Sequence, residues 1–158
     1  MIVGELMTRD VRTCAPTDSL NRAAQLMWEG DCGCVPVVDA NGFVLGIITD
    51  RDICMATYTQ GKPLHEIAVS SAISWQVFSC REDDDIAHAE ALMQRHQVRR
   101  LPVTSFSGRL VGLLSLSDII KRAKTPHRSV DKSLSPAAVA LTVAAIGRPR
   151  HDKDVQRS

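Results

Sequence analysis

The sequence has no long hydrophobic run and no leader-like opening. No segment approaches the roughly 20 consecutive apolar residues that a membrane helix needs, and no basic residue flanks an apolar stretch at the amino terminus. We therefore expect a soluble, cytoplasmic protein with no membrane partner. With 158 residues, 44% of them hydrophobic, the chain is long enough for one domain or for two small fused halves with a real core.

Cysteine is scarce and odd in number. Five cysteines do not form a disulfide framework in a chain of 158 residues, so we expect reduced thiols. Cys32 and Cys34 lie close together in the sequence, but no CxxC pair or neighbouring histidine completes a zinc-binding set. Small thiols that pack as small hydrophobes explain them better, and we expect no metal.

Recognisable catalytic motifs are also missing. The chain has no P-loop and no GxGxxG sequence, and its five histidines have no nucleophile at a recognisable spacing. We therefore expect no enzyme activity, no catalytic residue and no cofactor, with an enzyme acting on a bound nucleotide as the alternative.

Neither sign of charge dominates, because the chain has 19 basic and 18 acidic side chains. Residues 1–123 hold 12 of the basic and 15 of the acidic side chains, so the body is mildly acidic and the tail is basic. A nucleic-acid partner is therefore not expected for the whole molecule. Nucleic-acid binding through the basic tail stays an alternative that steep salt dependence would reveal.

A repeat spans most of the chain. Shifted by 66 positions, residues 11–53 align with residues 77–119 without a gap and are identical at 12 of 43 positions. The repeat includes the segments GIITDRD, at residues 46–52, and GLLSLSD, at residues 112–118. This pattern indicates a tandem duplication of one supersecondary unit. We place the first repeat at 1–61, the second at 62–124 and a tail at 125–158.

Each copy predicts the same order of elements. A short strand at 12–14 or 78–80 precedes a helix at 19–29 or 85–96, with Asp18 and Asp84 as candidate helix caps. A strand, a turn with glycine and a second strand follow at 35–48 and at 101–114, and a second helix begins near Thr49 or Ser115. The predicted fold is α/β, with a β-α-β-β-α unit used twice.

The predicted helices carry more apolar positions than one packing face needs. An amphipathic helix on a single sheet needs an apolar stripe about 100° wide. The surplus predicts burial against a second surface, either the other repeat or another chain. We therefore expect a homodimer.

The repeated motif lies where a strand ends and a helix begins. There the free amide groups and the helix dipole favour an anion such as phosphate. Thr49 and Ser115 occupy the cap, and Asp52 and Asp118 follow three residues later, where a carboxylate can accept hydrogen bonds from vicinal ribose hydroxyls. The same spacing also describes a plain capping box. Two copies with the same preceding glycine and aliphatic pair favour a ligand site.

These motifs, together with the Val-Pro-Val and Leu-Pro-Val strands at 35–37 and 101–103, resemble the paired CBS domain, or Bateman module. The resemblance covers residues 3–123. It implies two repeats packed sheet to sheet about a pseudo-twofold axis, two clefts for adenine-containing ligands, and a disc-like dimer of modules. It also implies a regulatory module that senses cellular energy status and signals to an unidentified partner protein.

The resemblance further implies which residues form each cleft. One cleft is expected to use Thr49, Arg51, Asp52, Phe78, Val98, Arg99 and Arg100. The other is expected to use Arg12, Cys32, Gly33, Cys34, Ser115, Ser117 and Asp118.

The two clefts differ in charge. The arginines predict that the Asp52 cleft prefers a di- or triphosphate, and the serines predict a monophosphate or nucleoside at the Asp118 cleft. Cys32 and Cys34 stand where the family more often has aliphatic residues or alanine. The choice among AMP, ADP, ATP, NAD and S-adenosylmethionine stays open, as does a structural dimer with vestigial clefts.

The tail lies outside the resemblance. Ser135 and Pro136, followed by a helix-forming stretch and Gly147, predict a short helix that docks on the module or its partner. Residues 148–158 are predicted to be disordered because they are charged and polar.

Overall fold

Two halves of similar topology make up the computed structural model, which describes residues 1–124 and 135–147. The first half contains α1 (Leu20–Glu29), β1 (Cys34–Val38), β2 (Val44–Thr49) and α2 (Asp50–Gln60). The second contains β3 (Cys80–Arg81), α3 (Ile86–His96), β4 (Arg100–Thr104), β5 (Leu110–Ser115) and α4 (Leu116–Lys124). The helix α5 (Pro136–Ile146) follows, and one-turn 3₁₀ helices lie at Val3–Glu5, Leu64–Glu66 and Val69–Ser71. The predicted mixed α/β fold is confirmed.

Each half has an antiparallel hairpin with the same irregularity. β1 pairs with β2 and β4 pairs with β5, and the register of both pairs shifts after equivalent residues, Val37 and Val103. Both turns use a glycine with positive φ, 85° at Gly42 and 84° at Gly108, a conformation that costs glycine little. The turn chemistry therefore fixes the same hairpin twice.

The predicted strand at residues 12–14 is reduced to a single bridge, which pairs Cys14 with Val37. Its counterpart β3 lies parallel to β4, and the Glu82 amide adds a further hydrogen bond to the Thr104 carbonyl oxygen. The position equivalent to Glu82 is Pro16, which has no amide hydrogen to donate. The first copy therefore ends its ladder earlier than the second.

The caps of α1 and α3 lie one residue later than predicted. Ser19 Oγ accepts a hydrogen bond from the Arg22 amide, and Asp85 accepts one from the Ala87 amide. The carboxylates of Asp18 and Asp84 instead accept hydrogen bonds from amides three residues earlier in the chain, each at 2.8 Å. These two aspartates therefore close the preceding turns, and the prediction that they cap the helices is wrong.

The segments that precede the two aligned copies of the repeat, residues 11–53 and 77–119, are exchanged between them. The Val3 amide donates to the Asp84 carbonyl oxygen at 2.9 Å, so the amino-terminal segment lies on the second repeat. The equivalent Val69 amide donates to the Asp18 carbonyl oxygen at 2.8 Å, so the segment between the repeats lies on the first. The donor and acceptor residues of the two hydrogen bonds are each 66 residues apart in the sequence. The duplication therefore also includes residues that precede the aligned copies.

The exchange also divides the hydrophobic core. One buried cluster belongs to the first repeat and includes Ile67, Val69 and Ile73 from the segment between the repeats. The other belongs to the second repeat and includes Val3 and Met7 from the amino terminus. A boundary at residues 61 and 62 divides the chain, but it does not separate these two cores.

The glycine of each repeated motif makes room for an exchanged segment. A Cβ atom at Gly46 would lie 2.8 Å from the Ser74 carbonyl oxygen, and one at Gly112 would lie 2.9 Å from the Thr8 carbonyl oxygen. Real Cβ atoms do not approach a backbone oxygen so closely, so a side chain there would force the segments apart. The motif glycines therefore serve the packing of each hairpin against the exchanged segment that covers it.

Helix α5 is docked against the second repeat. It begins at the cap Ser135, ends at Gly147 and packs against α3 and α4. Its buried face contains Val139, Thr142 and Ile146, of which Val139 and Ile146 belong to the second core. The predicted disorder of residues 148–158 concerns positions outside the described part of the chain.

Across residues 1–124 and 135–147, no helix combines the length and apolar character that crossing a membrane requires.

Candidate functional site

A cavity of about 670 Å³ lies where the two repeats and α5 meet. Residues 30–34 reach it from the end of α1 and the start of β1, and residues 115–118 reach it from the junction of β5 and α4. The end of α5 adds Val143, Ile146 and Gly147. The cavity is therefore built from sequence-distant segments and contains one copy of the repeated motif.

The motif at this cavity forms a complete capping box. The Ser115 amide and hydroxyl donate to Asp118 Oδ2 at 2.9 Å and 2.6 Å, and the Asp118 amide donates to Ser115 Oγ at 3.2 Å. Both side chains are half-buried. Within the described residues, Asp118 Oδ1 accepts no hydrogen bond, so capping and ligand binding do not compete for the same oxygen.

The first repeat has the same arrangement. Asp52 Oδ2 accepts from the Thr49 amide and hydroxyl at 2.9 Å and 2.7 Å, and the Asp52 amide donates to Thr49 Oγ1 at 3.2 Å. Thr49 and Asp52 do not line the 670 Å³ cavity. The two motifs are thus alike in local geometry but differ in their access to this space.

The residues predicted for the two clefts are distributed unequally. All seven residues predicted for the Asp118 cleft line the cavity: Arg12, Cys32, Gly33, Cys34, Ser115, Ser117 and Asp118. Of the seven predicted for the Asp52 cleft, Arg99 and Arg100 line the Asp118 cavity. The other five, Thr49, Arg51, Asp52, Phe78 and Val98, do not line it.

The arginines change the charge of this cavity. Arg12 forms an ion pair with Glu29 at 2.9 Å, so its charge is partly neutralised. Arg99 and Arg100 form no ion pair with a carboxylate in the described part of the chain, and Arg100 is half-buried. Arg99 and Arg100 thus bring to this cavity positive charge that was expected at the other cleft, while Asp10, Asp31 and Asp118 bring carboxylates to the same lining.

The two cysteines at the cavity differ in environment. Cys34 is buried, and burial raises the pKa of its thiol to about 11, with the nearby Arg100 guanidinium acting in the opposite direction. Cys32 is exposed, and its Sγ lies 3.4 Å from the Cys34 carbonyl oxygen. A neutral, buried thiol at Cys34 packs as a small apolar group and is a poor nucleophile. Within the described residues, no three histidine, cysteine or acidic side chains cluster to hold a metal.

Phe78, predicted to contact adenine, stacks on a histidine of the second repeat. Its ring stacks on His96 with centroids 3.6 Å apart and planes inclined by 14°. The side chain also packs against the second core. Phe78 therefore has a structural partner at the outer end of α3.

Several lining residues had no signal in the sequence. Thr8 and Leu113 reach the cavity through an exchanged segment and its bridge to β5. The α5 residues lie outside the repeat, so no second copy marks them. Leu116 and Ile120 were visible only as apolar positions of α4.

The fold and the cavity define a class of protein, an α/β module made by duplication that presents a strand-to-helix junction, a carboxylate and arginines in one cleft between its repeats. The chain belongs to the CBS domain family, whose model matches residues 3–58 and 69–125. The recognition made from the repeated motifs is confirmed.

Relatives and solved structures agree with this assignment. The chain is 36% identical over 117 residues to the CBS domain-containing protein YhcV of Bacillus subtilis, a match that covers 74% of this chain and 81% of YhcV. It is 34% identical to the Methanopyrus kandleri protein MK0525 over 119 residues, a match that covers 75% of this chain and 61% of that protein.

Two solved structures share the fold at 24% identity. The structure of CBSX2 in complex with AMP has a TM-score of 0.68 and covers 77% of this chain and 95% of its own. The CBS domain pair of MJ0100, in complex with 5′-methylthioadenosine and S-adenosyl-L-methionine, has a TM-score of 0.70 and covers 77% and 94%.

Proposed function

We propose that this protein is a regulatory module without catalytic activity, which binds an adenosine-containing ligand in the Asp118 cavity and transmits its occupancy to a partner protein. One observation carries the proposal. One cavity combines a strand-to-helix junction with Asp118 Oδ1 and two arginines, and within residues 1–124 and 135–147 this oxygen accepts no hydrogen bond and these arginines pair with no carboxylate. These groups match the ribose and the phosphate of a nucleotide.

Each group has a definite role in this proposal. Asp118 Oδ1 accepts hydrogen bonds from the ribose hydroxyls, while Oδ2 keeps the helix capped. The hydroxyls of Ser115 and Ser117 and the guanidinium groups of Arg99 and Arg100 bind phosphate oxygens. Gly33 and the side chains of Cys32 and Cys34 beside it form the surface for the adenine ring. The AMP bound to CBSX2 and the adenosine derivatives bound to MJ0100 support this ligand class.

The cleft at Thr49, Arg51 and Asp52 is proposed as a second, weaker site. Its capping box matches the one at Asp118, but its expected arginines line the other cavity. We therefore assign the anion-binding role mainly to the Asp118 cavity.

Thermal scans with and without AMP test the site. A ligand at one hundred times its dissociation constant adds about 2.7 kcal/mol, which corresponds to about 5–10 °C for a chain of this size. We expect Asp118→Ala to remove most of this rise. Asp52→Ala is the matched control, because it removes an equivalent cap and lies outside the cavity.

The apo proteins separate capping from binding. Without ligand, both single variants are expected to melt at a lower temperature than the wild type. Each lost cap lowers the free energy of unfolding by about 0.5–2 kcal/mol. Any rise that survives in Asp118→Ala but disappears in the double variant measures the Asp52 cleft. If AMP raised the melting temperature of the double variant as much as that of the wild type, the repeated motifs would be only helix caps.

We also propose a homodimer in the cytoplasm. Its basis is the exposure of large side chains on the two packed helices of the first repeat, with Trp28 87%, Met55 47% and Tyr58 81% accessible. The equivalent helices of the second repeat are covered by α5. Native mass spectrometry of the purified protein reads oligomeric state and copurified ligand together, and a monomer at micromolar concentration would contradict this part of the proposal.

A further inference from the structure

Helix α5 is the one described wall of the Asp118 cavity that comes from outside the two repeats. The family model ends at residue 125, and α5 spans Pro136–Ile146. Val143, Ile146 and Gly147 line the cavity together with Asp118 and the arginines. These residues have no counterpart at the other motif, so any effect they have on a ligand belongs to this cavity alone.

The docking of α5 is specific, because buried polar groups fix its position. Gln94 Nε2 donates to Thr142 Oγ1 at 2.7 Å, and the Thr142 hydroxyl lies 3.4 Å from Glu90 Oε1. Near the end of the helix, Gln97 Nε2 donates to the Ala145 carbonyl oxygen at 3.3 Å. Thr142 is fully buried and Glu90 is 4% exposed. Such partners are costly to separate, so the end of α5 is held at the cavity.

The surface that α5 presents is unsuited to a phosphate chain. The helix has no charged residue, and the adjoining wall from α4 contributes Leu116 and Ile120. The cavity meets the carboxyl-terminal end of α5, where the helix dipole carries partial negative charge. An apolar wall at the negative end of a dipole accepts an uncharged group more readily than a second or third phosphate.

We propose that Val143 and Ile146 of α5 are specificity-determining residues. They restrict the Asp118 cavity to an adenosine that carries at most one phosphate or an uncharged or cationic 5′ substituent. This inference rests on the proposed function and narrows its ligand class. Arg99 and Arg100 provide charge for one phosphate, and the α4–α5 wall excludes a longer anionic chain.

Charge substitutions at Val143 test the proposal by calorimetry with adenosine, AMP and ATP. Val143 is 45% exposed, so a longer side chain fits without opening the core. We expect the wild type to bind AMP more tightly than ATP. Val143→Arg should improve the affinity for ATP by about five- to tenfold and leave adenosine nearly unchanged. Val143→Glu should weaken AMP by a similar factor.

Leu141 provides the matched control. It lies on the same helix, is 68% exposed and does not line the cavity. Leu141→Arg and Leu141→Glu carry the same charges and should leave all three affinities within about twofold of the wild type, since a charge on an exposed side chain outside the cavity is screened by water and salt. Melting temperatures without ligand should match between the Val143 and Leu141 variants, which shows that α5 remains docked.

The outcomes separate this inference from the proposed function. Tight AMP binding by the wild type, with equal effects of the Val143 and Leu141 substitutions, would overturn the role of α5 and leave the nucleotide site standing. A wild type that prefers ATP would also overturn it. A wild type that binds none of the three compounds would overturn both.

Discussion

At the scale of single residues, the two carboxylate oxygens of a motif aspartate have different roles. In each repeat Oδ2 closes the capping box, and within the described residues Oδ1 of Asp118 accepts no hydrogen bond at the cavity. A helix cap and a ribose contact therefore need not be alternatives at this position. The cap orients the carboxylate before a ligand arrives, so less conformational entropy is lost on binding.

Cysteine labelling offers a residue-scale test of ligand position. Cys32 is exposed and lines the cavity, whereas Cys54 is exposed on α2 and lies outside it. AMP at ten times its dissociation constant should slow iodoacetamide labelling of Cys32 by about tenfold and leave Cys54 unchanged. Mass spectrometry of the labelled peptides measures both rates in one sample. Equal rates at Cys32 with and without saturating AMP would argue against a ligand beside residues 32–34.

The remaining cysteines do not interfere at pH 8. Burial raises the pKa of Cys14 and Cys34 to about 11 and that of Cys80 to about 12. Because the thiolate is the reactive form, native protein should be labelled only slowly at these three positions. Faster labelling after addition of denaturant provides the positive control.

At the scale of elements, α5 joins the module through a buried carboxyl group. Burial raises the pKa of Glu90 above its ordinary value of 4.5, and the Thr142 hydroxyl partly opposes this shift. Because its pKa is higher in the folded state than in the unfolded state, the Glu90 carboxyl contributes its full stabilisation of the fold only at pH values below its ordinary pKa. This stabilisation is lost as the pH rises through the folded-state pKa. Raising the pH through the folded-state pKa of Glu90 therefore weakens the contact between α3 and α5.

Glu90→Gln tests this element contact. The amide does not titrate, so the variant should melt higher than the wild type at pH 7. Each kcal/mol recovered corresponds to about 2–4 °C. The difference should shrink as the pH falls towards 4.5. Asp10→Asn, at an exposed position without an ion pair in the described part of the chain, should show no such trend in thermal scans from pH 4 to 8. A constant difference for Glu90→Gln at every pH would contradict the assigned cause.

Local features of the sequence predicted most of the elements and part of the site. The hairpins and helices followed from periodicity and turn glycines, and the repeat placed Ser115 and Asp118 at a strand-to-helix junction. The caps were missed by one residue because Asp18 and Ser19 are both good capping residues in adjacent positions. Positions brought in by long-range contacts, such as Thr8 and Val143, had no local pattern to mark them.

At the scale of the whole molecule, the exchanged segments make the two repeats depend on each other. The first core requires Ile67, Val69 and Ile73, which follow the first repeat in the chain. The second core requires Val3 and Met7, which precede the first aligned copy, residues 11–53. Either repeat cut at its sequence boundary loses fully buried side chains, each worth about 1.5–3 kcal/mol. We therefore expect the intact chain to unfold in a single cooperative transition.

Two fragments of similar length test whether the first repeat folds as a continuous stretch of sequence or only together with the exchanged segment that completes its core. Residues 1–61 form the first repeat as read along the chain, whereas residues 9–76 contain every residue of the first core from Cys14 to Ile73. We expect fragment 9–76 to show more helix by circular dichroism and a higher urea midpoint than fragment 1–61, because only it can bury its own core. Ile67→Ala should remove much of this advantage, since a buried isoleucine truncated to alanine costs about 2–5 kcal/mol. Equal stability of the two fragments would mean that the exchanged segment contributes little, and the interdependence of the repeats would have to come from the interface that forms the Asp118 cavity.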